Sequence, residues 1–133
     1  MSGSEKSADD WYGEGSSLFD LEKYDRAIEY YDEALKIKST EASWVMKGLC
    51  FEKLGKYDEA IKCFEESLKI NPKNAKLYQH MSMICLDCKD NNISAKSKKY
   101  AKKAESILKS EDPEEYKRIK DRKKLYDFDQ KLR

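Results

Sequence analysis

The sequence predicts an all-α protein built from stacked helical hairpins. The residue pattern of positions 22–37 returns 33 positions later, in residues 55–70. Repeats of about 34 residues that each read as two amphipathic helices are typical of helical arrays. Charged residues make up 40% of the 133 positions, and only five Gly and two Pro interrupt them. This composition favours long, solvated helices over strands.

The first two blocks should each form a hairpin of two helices. Residues 1–10 are small and polar, so we expect a flexible lead there and ordered structure from about Trp11. In the second block, Thr40 is a candidate N-cap for a helix that ends at Gly55. The partner helix carries Ala60 on its apolar face and ends at Asn71-Pro72. We expect Gly48 to lie opposite Ala60, because two helices approach closely only where side chains are small.

A third hairpin and a final helix follow. Asn74 is a candidate N-cap for a third first helix, and a second helix resumes after the polar insert at residues 89–92. Asp112, Pro113 and Glu115 then form the start signal of another helix. Its sparse apolar stripe of Tyr116, Ile119 and Tyr126 is expected to cover the end of the stack, with Ile107 and Leu108 beneath it. About seven helices are therefore predicted.

Several residue types recur at matching places in the first two blocks. The second block has Trp44, Gly48, Phe51, Tyr57, Ala60, Phe64, Ser67 and Pro72, and the first has Trp11, Gly15, Leu18, Tyr24, Ala27, Tyr31 and Ala34. In this pattern the chain resembles the tetratricopeptide repeat (TPR) family. The resemblance implies a right-handed superhelical stack in a single domain over residues 11–133. Its repeats would lie at about 8–40, 41–74 and, in degenerate form, 75–110, and its capping helix at about 113–133.

The cysteines and the histidine are not spaced as in a complete catalytic or metal-binding motif. Cys85 and Cys88 have the spacing of a metal or redox motif, but no second ligand pair completes a zinc site. We therefore expect the four cysteines to be packing residues. His80 is the only histidine, so no second one can join it in a catalytic arrangement. The sequence thus predicts a protein that is not an enzyme and holds no cofactor or metal.

Charge and hydropathy favour a cytoplasmic protein with two differently charged parts. No apolar run is long enough for a membrane span, and the first residues lack the apolar core of a signal peptide. Residues 1–93 hold 13 basic and 18 acidic residues (net −5), and residues 94–133 hold 14 and 8 (net +6). The lysines of residues 96–103 are interpreted as a solvated face. Nucleic-acid binding by this basic part, in an RNA-associated accessory role, is the alternative.

The TPR resemblance also implies a concave groove lined by the first helix of each repeat. Its positions here are Tyr12, Ser16, Phe19, Val45, Met46, Leu49, Glu52, Lys76, Gln79, His80 and Met83. Family members that grip chaperone carboxylates use Lys, Asn and Arg in such places, and this chain keeps only Lys76. We therefore expect an apolar groove, separate from the interhelical core, that binds a peptide or helix of a protein partner as a scaffold. A segment of the same chain or a second copy, as in a homodimer, is an equal alternative occupant.

Overall fold

The computed structural model describes residues 5–132, and its regular secondary structure in that range is entirely helical. The helices are α1 (Ala8–Asp20), α2 (Tyr24–Ile37), α3 (Glu41–Lys53), α4 (Tyr57–Ile70), α5 (Ala75–Asp87), α6 (Asn91–Ser94), α7 (Ser97–Glu111) and α8 (Pro113–Leu132). Seven of them are the expected helices, and α6 is an additional single turn. The chain forms two compact units, Met1–Pro72 (unit 1) and Lys73–Arg133 (unit 2). They are described separately below.

Helix α1 begins earlier than expected. Ser7 accepts a hydrogen bond from the Asp10 backbone N–H, and the Asp10 carboxylate accepts one from the Ser7 N–H. This capping box satisfies two N–H groups at the helix terminus, so α1 starts at Ala8 rather than at Trp11. The predicted flexible lead is therefore wrong for residues 8–10, which are helical, and for Ser7, which caps them. Residues 1–4 of that lead lie outside the described residues.

The two hairpins of unit 1 share one turn geometry. Glu22 (φ 61°) and Gly55 (φ 76°) are equivalent positions and both have left-handed backbone conformations. In each turn the N–H of the following lysine donates to a carbonyl five residues earlier, from Lys23 to Leu18 and from Lys56 to Phe51. The first turn reaches this conformation without the glycine that usually occupies it.

The close approach within each hairpin involves an aromatic ring. A Cβ added to Gly48 would lie 2.5 Å from the Phe64 ring, and one added to Gly15 would lie 2.9 Å from the Tyr31 ring. The flat Phe64 ring of the second helix therefore fills the space that the missing Gly48 side chain leaves. The predicted approach of Gly48 to Ala60 stays a prediction. Ala60 itself is fully buried.

Unit 1 has a core that joins its two hairpins. Helix α2 packs against α3, and the buried residues Ala27, Tyr31 and Cys50 form one cluster. Six partly buried apolar side chains pack around it: Tyr12, Leu18, Phe19, Tyr24, Ile28 and Met46. The second hairpin therefore stacks on the first through apolar contacts.

Unit 2 contains the third hairpin, formed by α5 and α7. The Asn74 side chain accepts the Leu77 N–H and caps α5 as predicted. The Ser82 hydroxyl bonds the Ser97 carbonyl at 3.0 Å, and the Ser97 hydroxyl donates to the Ser82 carbonyl at 3.1 Å. These buried bonds join the two helices where unit 1 uses glycine and a ring. The polar insert forms α6, which Asp90 caps.

Helix α8 packs against α7 along only its first half. The Asp112 side chain accepts the Glu115 N–H, which confirms the predicted N-cap. Tyr116 and Ile119 are partly buried, and Lys120 forms an ion pair with Glu105 of α7. Residues 121–132 are all exposed. The expectation that Tyr126 continues the packing stripe is wrong, because it lies beyond the packed half and is 64% exposed.

Candidate functional site

The predicted groove residues all lie on the first helices of the three hairpins. Tyr12, Ser16 and Phe19 are on α1, and four more residues, 45, 46, 49 and 52, are on α3. Helices α1 and α3 contact one another within unit 1. The remaining four, Lys76, Gln79, His80 and Met83, are on α5 in unit 2. A single groove that unites both sets stays a prediction.

The predicted groove residues of α1 and α3 all have partly exposed side chains, and we call this set the unit 1 strip: Tyr12, Ser16, Phe19, Val45, Met46, Leu49 and Glu52. None of them is fully buried. Five are apolar or aromatic, Ser16 carries a hydroxyl and Glu52 a carboxylate. Partly exposed apolar side chains grouped on adjacent helices are typical of a binding surface.

Part of the strip also belongs to the core, which corrects the expectation that the groove is separate from it. Tyr12, Phe19 and Met46 pack on the cluster of Ala27, Tyr31 and Cys50. The Tyr12 and Tyr31 rings lie 5.6 Å apart between centroids. The reason is that one turn of a first helix presents neighbouring side chains both to the groove and to the adjacent hairpin. Substitutions at these three residues would therefore change folding as well as binding.

Ser16 is bound to the core as well. Its hydroxyl lies 3.0 Å from the Tyr31 hydroxyl in a hydrogen bond. Burial raises the pKa of Tyr31 to about 12, so this phenol is neutral at physiological pH. The bond therefore satisfies a polar group that the hairpin buries, and Val45 and Leu49 remain as the apolar strip residues outside the described core cluster.

In unit 2, two predicted groove residues line a cleft that the sequence did not reveal. Gln79 and Met83 of α5 face a cleft of about 660 Å³ whose other walls come from α7 and α8. Lys76 is exposed and His80 is half-buried. The cleft was not anticipated because it depends on how α8 docks, which local sequence signals do not specify. We call it the α8 cleft.

The cysteines pack as predicted. Cys50, Cys63 and Cys85 are buried, Cys88 is partly exposed, and all four are free thiols. Burial raises the pKa of Cys50 to about 12 and that of Cys63 to about 11, and it also raises the pKa of Cys85. These thiols are therefore held in the neutral form that suits an apolar core. Over residues 5–132, no three His, Cys, Asp or Glu side chains are grouped so that they could hold a metal ion.

A helix that crosses a bilayer must be both long and apolar. Within the described part of the chain, no helix combines these two properties.

Sequence comparison identifies the repeats. The tetratricopeptide repeat family model matches residues 8–41 and 42–74, close to the predicted repeat bounds. No curated protein sequence matches the chain.

Solved structures with a similar fold include three kinds of protein. A MamA structure has a TM-score of 0.73 at 24% identity, over 82% of this chain and 58% of that one. The Sgt2 TPR domain of Aspergillus fumigatus has a TM-score of 0.65 at 17% identity, over 92% and 82%. The Hsp90 co-chaperone Cns1 of Saccharomyces cerevisiae has a TM-score of 0.62 at 22% identity, over 94% and 41%. The chain thus spans about three fifths of the MamA chains, and at these identities the likeness establishes the fold.

Proposed function

The chain belongs to the tetratricopeptide repeat family of protein-interaction modules, and we propose that it binds an apolar peptide or helix of another protein on the unit 1 strip. In this proposal it acts as a non-catalytic scaffold in the cytoplasm. Its free, reduced thiols are consistent with that compartment. The strip would supply the apolar anchoring surface, and Glu52 would contact a basic or polar flank of the ligand.

One observation carries the proposal. Val45 and Leu49 are apolar side chains that lie one turn apart on α3. Both remain partly exposed. Neither is among the side chains that pack on the Ala27–Tyr31–Cys50 cluster. Covering exposed apolar area with a ligand is favourable by about 25 cal/mol per Å². A partner's apolar side chains are therefore the chemistry that this surface fits.

An acidic chaperone tail is a poorer fit. One structurally similar protein is an Hsp90 co-chaperone, which makes such a ligand a natural comparison. At four of the positions where the family's clamp carries Lys, Asn or Arg, this chain has Tyr12, Ser16, Met46 and His80. With Ser16 already bonded to Tyr31, these side chains provide little charge for a carboxylate.

The experiment is affinity capture from native cell extract, with and without nuclease. The affinity of the recovered protein for the purified chain is then measured directly. Leu49→Lys should abolish binding while the helical circular dichroism signal persists, because Leu49 is not part of the core cluster. The matched control is Ile37→Lys, which places the same charge at a 55% exposed apolar residue of the second helix α2. Loss of binding in both variants, or in neither, would contradict the proposal.

A salt series and a lysine variant test the nucleic-acid alternative. Replacing Lys98, Lys99, Lys102 and Lys103 with Gln should leave binding to the strip almost unchanged. Nucleic-acid affinity would instead fall steeply with salt and with the loss of these exposed cations. Nuclease-sensitive capture that the lysine variant abolishes and Leu49→Lys does not would establish the alternative.

A further inference from the structure

Trp11, Tyr30 and Glu14 surround the ammonium group of Lys6 at the start of unit 1. The Lys6 Nζ lies 4.4 Å from the centroid of the Trp11 ring and 5.8 Å from that of the Tyr30 ring. It also donates a hydrogen bond of 2.8 Å to the Glu14 carboxylate. Aromatic rings attract a cation through their quadrupoles, and rings grouped in this way bind choline and methylated lysine. We call the two rings and the carboxylate the Trp11 site.

The first hairpin, rather than Lys6, holds these three groups in place. Trp11 and Glu14 lie one turn apart on α1, and Tyr30 lies on α2. The two rings pack edge to face with their centroids 5.5 Å apart. The close approach of α1 to α2 at Gly15 fixes the spacing of the two helices here. The site should therefore stay formed when Lys6 leaves it.

Lys6 is held at the surface. It precedes the N-cap residue Ser7, so it reaches the site from outside α1. Its side chain is 43% exposed, and that of Glu14 is 46% exposed. The hydrogen bond to Glu14 raises the pKa of Lys6, so the ammonium stays charged. Solvent screens an exposed pair of this kind, and an ammonium group from another molecule can therefore replace Lys6.

The second repeat shows what the equivalent position contacts when a neighbouring helix covers it. The residue 33 positions after Glu14 is Lys47, whose ammonium lies 2.6 Å from the Asp32 carboxylate of the first hairpin. The same ammonium lies 5.4 Å from the centroid of the Trp44 ring. This position of the first helix thus forms an ion pair with the adjoining element. In the first repeat its charge is reversed, so a matching neighbour would carry a cation.

The side of α1 that carries the site is open, whereas the equivalent side of α3 is covered. Cys50 of α3 is buried in a cluster with two residues of α2, and its equivalent on α1, Ser17, is exposed. The Lys47 side chain is 19% exposed, against 46% for Glu14. Within the described chain, this side of α1 therefore has room for another element, and its carboxylate and rings fit a lysine.

We propose that the Trp11 site binds the ammonium group of a lysine on a partner protein, and that Lys6 occupies the site until the partner displaces it. The partner's lysine takes the position of Lys6 between the two rings and the carboxylate. Methylation of that lysine strengthens its contact with the rings and removes donors to Glu14. None of the three groups belongs to the unit 1 strip, so this contact is additional to the one proposed there.

Proton–nitrogen NMR of the full chain tests the proposal, because its two tryptophans give two indole N–H signals. The Trp11 signal reports on the site. The probes are Nα-acetyl-lysine amide, its Nε-trimethyl form and the neutral Nα-acetyl-norleucine amide. In Lys6→Ala, both charged probes should shift the Trp11 signal to saturation, and the neutral probe should not. Binding to the unmodified chain should be weaker by about threefold or more, because Lys6 occupies the site for most of the time.

The Trp44 signal serves as an internal control. Its indole N–H donates to the Ser39 hydroxyl at 2.9 Å, and the Lys47 ammonium already lies over its ring. Lys47 is also paired with Asp32 and largely covered, so a probe does not displace it easily. The Trp44 signal should therefore keep its position under conditions that saturate the Trp11 site.

Further variants in the Lys6→Ala background assign the binding to the three groups. Glu14→Gln should weaken binding of the lysine probe by about threefold or more, since the carboxylate accepts a charge-assisted hydrogen bond. Tyr30→Leu should weaken binding of the trimethylated probe most, since that probe depends on the rings. Asp20→Asn, at an exposed residue at the other end of α1, is the matched control for the charge. Leu49→Lys should also leave probe binding unchanged, so failure of this proposal is distinguishable from failure of strip binding.

Any of three results would overturn the proposal. The first is that neither charged probe gives a saturable shift of the Trp11 signal in Lys6→Ala. The second is that the neutral probe shifts it equally, which would indicate apolar contact alone. The third is that the charged probes bind Lys6→Ala no more tightly than the unmodified chain, which would show that Lys6 does not occupy the site.

Discussion

Two glycines on α1 illustrate how differently one residue type can act at neighbouring positions. Gly15 is buried, and an added Cβ would lie 2.9 Å from the Tyr31 ring. Gly13 is exposed, with nothing within 4 Å of an added Cβ. Packing therefore requires Gly15. Gly13 has no such role, and it destabilises the helix because a glycine backbone loses more conformational entropy on folding than other residues do.

We expect Gly13→Ala to raise the free energy of unfolding by about 1 kcal/mol, the difference in helix propensity between the two residues. Gly15→Ala should instead lower it, because the Tyr31 ring is held by the core cluster and by its bond to Ser16 and cannot easily move. Urea unfolding followed by circular dichroism measures both changes. Equal effects of the two substitutions would show that the α1–α2 packing differs from that described here.

At the scale of elements, the sequence predicted the helices better than their contacts. The capping residues Thr40, Asn74 and Asp112 act where the pattern placed them, because a cap depends only on residues within one turn. The ring opposite Gly48 and the exposure of Tyr126 depend on how helices pack, and a single sequence carries little information on that. The extra turn α6 was missed because its four residues are too few for a periodic pattern.

The candidate site shows the same division. Membership of the first helices followed from the 33-residue repeat, which places equivalent residues on equivalent faces. The repeat did not predict that Met46 packs on the core cluster as well as belonging to the strip. The α8 cleft could not be predicted from the sequence, because it depends on the docked position of α8, of which only the first half packs on α7.

The turn between α1 and α2 provides a prediction at this scale. Glu22 holds a left-handed conformation that costs a non-glycine residue about 1–2 kcal/mol, and the equivalent turn uses Gly55. Glu22→Gly should raise the melting temperature, even after the entropy gained by the unfolded chain is subtracted. Gly55→Ala is the reciprocal control and should lower it. Thermal unfolding of the two variants checks this, and a lower melting temperature for Glu22→Gly would contradict it.

At the scale of the whole molecule, ion pairs contribute little. The pairs Lys36–Glu33 and Lys69–Glu66, at equivalent positions of the two repeats, have side chains that are 40–71% exposed. Solvent screens exposed pairs of this kind, so they stabilise the fold little and weaken further with salt. The stability of the described residues therefore rests on buried apolar contacts and on polar groups that are kept neutral.

Those neutral groups predict a specific loss of stability at alkaline pH. Burial raises the pKa of Cys50 from 9.0 to about 12, of Cys63 from 9.0 to about 11, and of Tyr31 from 10.0 to about 12. Below pH 9 all three are protonated in the folded and the unfolded chain, so they add no pH dependence. Above it, the unfolded chain loses these protons first. The free energy of unfolding should therefore fall as pH rises from 9 toward about 12.

Chemical unfolding at a series of alkaline pH values measures this slope, and cysteine variants assign it. Cys50→Ala should be less stable than the unmodified chain at neutral pH, because it leaves a small cavity in the cluster. Its stability should nevertheless fall less steeply above pH 9, since the proton of one buried thiol no longer contributes to the slope. Cys88→Ala, at the partly exposed thiol, serves as the control and should retain the full slope. Identical slopes in the unmodified chain and in Cys50→Ala would mean that Cys50 does not stay neutral in the folded repeat.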